Sequence, residues 1–178
     1  MECFDSLRDY ADAMEKQGKL VRIPEMDQDA YEMTAFAYRL DDKMKDEAPA
    51  FIVERVKMDG QWFDRPVISN ILNSWSTVAQ CFGVEDLSGA PGEVYDKMAS
   101  KILSYQDKDG RWPSIEPKVV EANDAPVKAV RYTGDDVDVT QFPWIKNNPA
   151  DGGRYISAGC CIMEDPDLGR NVGTYRLM

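Results

Sequence analysis

Two short motifs near the end of the chain hold the residue types best suited to chemistry. The first is Asp151-Gly152-Gly153-Arg154-Tyr155-Ile156. The second is Asn171-Val172-Gly173-Thr174-Tyr175-Arg176, with Leu177 and Met178 after it. An Asn amide oxygen is a hard donor suited to Mg²⁺, Mn²⁺ or K⁺, and the Arg fork holds a carboxylate or phosphate bidentately. In a strand, Asn171, Gly173 and Tyr175 share one face while Val172, Thr174 and Arg176 share the other. An amide and a guanidinium separated by small residues read as the first wall of an anion or cofactor pocket. Each motif also has a plainer account. An Asn after a turn caps a hairpin, a strand Arg is solvated, and paired glycines relieve a tight turn. The order strand, Gly-rich turn, helix that Rossmann and P-loop phosphate sites need is absent, so neither is assigned.

Composition narrows the partners. The formal charge is −11, which argues against a nucleic-acid partner, because that affinity rests on Lys and Arg displacing counterions. There is no histidine, so His-based zinc sites and Ser-His triads are excluded for this chain in isolation. No apolar run approaches a bilayer span, and the N-terminus is acidic where a signal peptide is basic, so the expectation is a soluble cytoplasmic protein without a membrane role. Cys3, Cys81, Cys160 and Cys161 form no CxxC motif and read as reduced, packed thiols. Asp135-Asp136-Val137-Asp138 reads as a solvated turn rather than a metal site.

The elements that must position the motifs fall into two groups. Helices are expected from Asp5 to Gly18 (Leu7, Tyr10, Ala11, Met14 inward) and after Asp29, whose spacing to Glu32 suggests a capping box. Two more follow, from Ser74 to Gly83 with Trp75, Val78, Ala79 and Phe82 inward, and after Pro91 with Tyr95, Met98, Ala99 and Ile102 inward. Lys19–Ile23 reads as a strand stopped by Pro24. Residues 50–56 read as a strand that turns at Asp59-Gly60 towards a second strand at 65–69. Residues 104–126 have linker composition, with Pro113, Pro117 and Pro126. Beyond them, strands are expected at 127–132, at 155–163, and from Asn171 to Leu177 after a turn at Asp165–Gly169. The fold class is α+β, with an N-terminal α/β domain over 1–125. Residues 126–178 then begin a sheet that they do not close.

The whole pattern resembles the N-terminal part of the UbiD family of prenylated-flavin-dependent (de)carboxylases. The similar stretches are Leu7-Arg8-Asp9-Tyr10, Gly18 to Ile23, Ala50 to Val56, Pro126-Val127-Lys128, Gly134 to Val139, Asp151 to Ile156 and Asp165 to Arg176. The resemblance implies that 126–178 start a central split β-barrel of flavin-reductase type. It implies a reversible, non-oxidative decarboxylase that takes an aromatic or α,β-unsaturated acid, releases CO₂, and uses prenylated FMN made by a flavin prenyltransferase. It further implies Mn²⁺ and K⁺ at the cofactor phosphate, with Asn171 as first metal ligand. Arg176 is implied to meet cofactor and substrate carboxylate, Val172, Gly173, Thr174 and Tyr175 to run along the flavin, and Ser157 to line the pocket. The rest of the family's site follows downstream. This chain alone is therefore expected to be inactive, and to need a C-terminal portion or a partner chain. A homo-oligomer is expected at full length. The alternatives are a non-catalytic assembly subunit that completes a partner's barrel, or a small flavin-binding module.

Overall fold

The structure is a computed structural model that describes residues 4–113 and 116–178, so the expectation for Cys3 lies outside the described residues. Strand β1 (Leu20–Asp27) pairs in parallel with β2 (Ala50–Met58), and helix α2 (Glu32–Met44) lies between them in sequence. The sequence reading ended β1 at Pro24, yet the strand runs through it. The register passes from Ile23↔Val53 to Glu25↔Arg55, and because β1 is an edge strand the missing Pro24 N–H breaks no ladder bond.

The tight turn at Asp59-Gly60, with φ of 50° and 75°, returns the chain into β3 (Gln61–Phe63). A further strand, β4 (Val67–Ser69), pairs with the other end of β2, so the expected return strand is broken into two pieces around Pro66.

Strand β2 is buried on both faces and organises the core. Ala50 and Ile52 pack with Tyr10, Ala11 and Met14 of helix α1 (Leu7–Lys16), while Phe51 and Val53 pack with Met33 of α2. The Phe36 ring meets Phe51 edge-on at 5.0 Å. Helix α3 (Trp75–Cys81) and helix α4 (Pro91–Leu103) form a satellite cluster around Ala79, Val94 and Met98. Burial pushes the Tyr10 hydroxyl up to about 12, and it donates to the Ile71 carbonyl at 2.6 Å.

Several local expectations are corrected. Ser6, not Asp5, caps α1. Asp27 caps a short 3-10 turn at Gln28–Ala30, and Glu32 accepts from the Asp27 N–H at 2.6 Å, so the box lies two residues earlier. In α3 the buried side chains are Thr77, Ala79 and Gln80, while Trp75 and Phe82 are about two-fifths exposed. Trp75 instead stacks edge-on against the exposed Tyr95 at 4.8 Å. The expected strand at 127–132 is a 3-10 turn (Pro126–Lys128) followed by irregular chain with Val127 and Val130 exposed. β propensity forms no strand there because no neighbour supplies a ladder.

The chain then returns to the first sheet. Ile145 joins the Phe51 cluster, and the buried Gln28 donates to the Lys146 carbonyl at 2.8 Å. From there β5 (Ile156–Asp165) and β6 (Gly169–Leu177) form a two-stranded antiparallel hairpin, one strand fewer than expected. Cys160 is exposed and Cys161 half-buried, and both remain thiols, so Cys160 is not the packed thiol expected. No helix among the described residues is long and apolar enough to cross a membrane.

Asp27 also gives the sheet a pH dependence. The Lys57 ammonium at 2.7 Å, with backbone N–H groups of Ala30 and Asp29, holds the Asp27 carboxyl below its ordinary value. A depressed folded value means the contribution is present above the unfolded carboxylate range and lost as pH falls through the folded one. Asp27→Asn is therefore expected to lower the melting temperature at pH 7, with a deficit that shrinks towards acid pH as the folded carboxyl takes up its proton. Thermal melts of both proteins across that range check it, and an equal deficit at every pH would count against the assignment.

Candidate functional site

The hairpin turn is built by Asp165, whose carboxylate accepts from the N–H groups of Asp167 and Leu168, both at 2.9 Å, with Gly169 at φ 79°. These bonds hold the Asp165 carboxyl below its ordinary value. The turn sets a register of Met163↔Asn171, Cys161↔Gly173 and Gly159↔Tyr175. The next pair is Ile156↔Leu177, so two residues of β5, Ser157 and Ala158, stand against the single residue Arg176. That two-to-one count is a β-bulge, a device that bends a strand and re-aims side chains. It brings Ser157 opposite Arg176, although nineteen positions separate them in sequence.

Ser157 and Ala158 also form one wall of a cleft of about 550 Å³. Its other walls include Arg8 of α1, Arg65 and Val67 beside β4, and Phe142, Trp144 and Tyr155. The Arg65 guanidinium carbon lies 5.0 Å from the Phe142 ring centroid, a cation–π contact. The Trp144 indole donates to the Val139 carbonyl at 2.9 Å, which fixes its ring. The cleft thus joins two guanidiniums, the hydroxyls of Ser157 and Tyr155, and aromatic walls, a lining suited to an aromatic anion.

Asn171 is not in this group. It lies at the turn end of β6, about 17 Å along the strand from Arg176 at ~3.4 Å per residue. It borders a separate open hollow with Met163, Glu164, Asp165 and Arg170. Among the described residues no group of three or more His, Cys, Asp or Glu side chains converges to hold a metal. Asn171 offers one neutral oxygen, and Asp165 is engaged in the turn. The residues present therefore do not fit a divalent ion by themselves. Asp135 and Asp136 sit in an exposed 3-10 turn, and Asp138 caps the next one through Thr140.

The faces of β6 differ. A Cβ on Gly173 would lie 2.6 Å from the Tyr175 ring, so that ring covers Gly173 on its own face. Val172, Thr174 and Arg176, on the opposite face, are exposed. The Thr174 hydroxyl and the Arg176 guanidinium suit the phosphate and polar edge of a flavin. Of the residues expected from the sequence, Ser157 lines this cleft while Arg176 lies across the bulge from it and is not among the lining residues; Arg8, Arg65, Phe142 and Trp144 carried no expectation as walls. The run Phe142-Pro143-Trp144, two aromatic residues around a proline, is the one local signal for those walls.

Comparison with known proteins gives the family. Residues 11–91 match the N-terminal domain of 3-octaprenyl-4-hydroxybenzoate carboxy-lyase, and residues 118–178 match the Rift-related domain of the same enzyme. The chain belongs to the UbiD family. A relative from Aquifex aeolicus (strain VF5), named only as uncharacterised, is 30% identical over 98% of this chain and 36% of its own length. A phenolic acid decarboxylase from Streptomyces sp. (strain D7) is 28% identical over 98% of this chain and 35% of its own.

Among solved structures, the vanillic acid decarboxylase of Sedimentibacter hydroxybenzoicus shares the fold. Its open form, with a truncated second component, gives a TM-score of 0.79 at 24% identity, covering 98% of this chain and 36% of that one. Its closed form gives 0.72 at 24% identity, covering 99% and 35%. This UbiD-family chain spans about a third of the length of the relatives it matches.

Proposed function

We propose that the chain is the N-terminal portion of a cytoplasmic UbiD-type carboxy-lyase, acting reversibly on an aromatic or α,β-unsaturated carboxylic acid. The observation that carries this reading is the bulge, which sets Arg176 opposite Ser157 beside a cleft walled by Arg65, Phe142, Trp144 and Tyr155. The planar Arg176 fork orients the substrate carboxylate, as its geometry suits. The aromatic walls exclude water from the acid's ring, and the Ser157 hydroxyl supplies a hydrogen bond at the pocket floor. Val172, Gly173, Thr174 and Tyr175 would form the strand that holds prenylated FMN. When bound, prenylated FMN supplies the electron sink that loss of CO₂ requires.

Asn171 would give one oxygen to a Mn²⁺ and K⁺ site whose other ligands, like the proton-delivering acid, would come from outside these residues. The domain division at 125/126 belongs to the same proposal, as does homo-oligomerisation of the longer protein.

The test is coproduction with a flavin prenyltransferase, once for this chain and once for the chain extended by the downstream sequence of its reading frame. The extended protein is expected to retain a flavin absorbance and bound manganese after desalting, and the 178-residue chain to retain neither. Equal loss from both proteins would remove the cofactor assignment.

A second reading keeps one observation of its own. The β5–β6 hairpin forms a sheet of two strands, so the outer edge of each is unpaired among the described residues. Such edges template pairing with another chain. An assembly subunit that completes a partner's barrel would form a stable hetero-complex in the same coproduction, without any flavin.

A further inference from the structure

The Asp-Gly-Gly-Arg motif contains a guanidinium that the cleft does not use. We propose that Arg154 is a positioning residue, which locks the entry of β5 onto the turn between β2 and β3, and does not bind an anion. Its side chain is about one-quarter exposed and forms an ion pair with Asp59. Its guanidinium carbon lies 5.9 Å from the ring centroid of Phe63, the last residue of β3.

The acceptor is itself held in place. Asp59 adopts the left-handed conformation at φ 50°, which Asp and Asn tolerate better than other side-chain-bearing residues. The Asp59 N–H donates to one carboxylate oxygen of Asp29 at 2.6 Å, and the Gly60 N–H donates to the other at 2.8 Å. Asp29 in turn sits in the 3-10 turn capped by Asp27.

The chain before Arg154 is fastened separately. Gln28 reaches the Lys146 carbonyl at 2.8 Å, and Asp151 accepts from the Asn148 N–H at 2.9 Å. Gly152 and Gly153 let the chain pass beneath the Met178 side chain, whose sulfur would lie 3.3 Å from a Cβ on Gly152. The segment 146–154 is thus fixed at both ends to one short turn system of the first sheet. Three residues after Arg154, Ser157 enters the cleft.

The functional consequence rests on the reading of Ser157 given above, whereas the mechanical coupling does not. Loss of the pair frees the start of β5 and lets Ser157 shift relative to Arg65 and Arg176.

A double-mutant cycle in the 178-residue chain tests it by amide hydrogen exchange, with no cofactor needed. Asp59→Asn keeps the left-handed preference while it removes the charge, and Arg154→Met keeps the apolar stem over Phe63. Each single change is expected to speed exchange over 153–160 about fivefold, the scale of a partly exposed ion pair. The double variant should show the same factor of about five, because both changes remove one interaction. Amides of 51–56 should be unaffected, and Arg154→Lys should recover most of the protection.

Three results overturn the proposal: a silent Asp59→Asn beside an active Arg154→Met, a double variant equal to the product of the singles, or a parallel rise over 51–56. None of these bears on whether the protein binds flavin, which the coproduction experiment reads separately.

Discussion

Replacing Arg176 with Met in the extended, flavin-loaded protein is expected to lower kcat/KM for CO₂ release by at least ~10²-fold, the usual cost of misplacing a substrate by about an ångström. The chain offers no substitute at that position. Among the described residues Arg176 has no ion pair of its own, and it lies opposite the bulge that carries Ser157. Arg65 and Arg8 border the cleft that Ser157 lines, but Arg65 is already held over Phe142. Arg176→Lys should recover only part of the loss, because an ammonium is a point charge without the paired donors of the fork. Steady-state kinetics on both variants, with flavin absorbance measured alongside, separate orientation from cofactor loss. Near-normal turnover by Arg176→Met would move the carboxylate to another residue.

The second large effect concerns the sheet on which the site rests. Phe51→Ala is expected to destabilise the 178-residue chain by about 3–5 kcal/mol, the range for a buried Phe truncated to Ala. Phe51, near the start of β2, is fully buried, with Phe36 edge-on to it and Ile145 packed against the same cluster. Because Ile145 belongs to the segment that leads to Tyr155 and Ser157, the cavity loosens the cleft as well as the core. Urea unfolding should show a lower midpoint with little change in slope. Leu168→Ala, at a side chain 89% exposed in the hairpin turn, should stay within about 0.5 kcal/mol of the parent. Comparable losses at both positions would mean that β2 is not the organising strand.

How much of this was legible in the sequence differs from element to element. Strand β2 was legible because its run of apolar residues leads into Asp59-Gly60, a local turn signal. Helices α1 and α4 showed their periodicity, although Leu7 and Tyr95, both expected inward, face outward. In α3 the polar side chains went inside because partners wait there. The buried Gln80 amide donates to the Ser76 carbonyl at 3.2 Å and accepts from Gln17 at 2.8 Å. Hydropathy alone does not reveal such satisfied polar burial.

Within the candidate site, the residue types of β6 were visible and their arrangement was not. The bulge at Ser157 and Ala158 has no required residue type, and it depends on which β6 residue each β5 residue meets. Arg154 and Asp59 stand ninety-five positions apart, so their pairing follows from the whole fold. The expected strand at 127–132 failed for the same reason in reverse, since suitable residues found no ladder to join.

On the proposed function, this chain supplies one wall of a pocket that removes CO₂ from an unsaturated or aromatic acid. The most direct test is headspace CO₂ from the extended protein, coproduced with a flavin prenyltransferase and offered phenolic, polycyclic and alkenoic acids in turn. The account predicts release from at least one class, dependent on the coproduced prenyltransferase and abolished by Arg176→Met. A folded, flavin-loaded protein that releases CO₂ from none of them, or releases it equally without the prenyltransferase, would contradict the account.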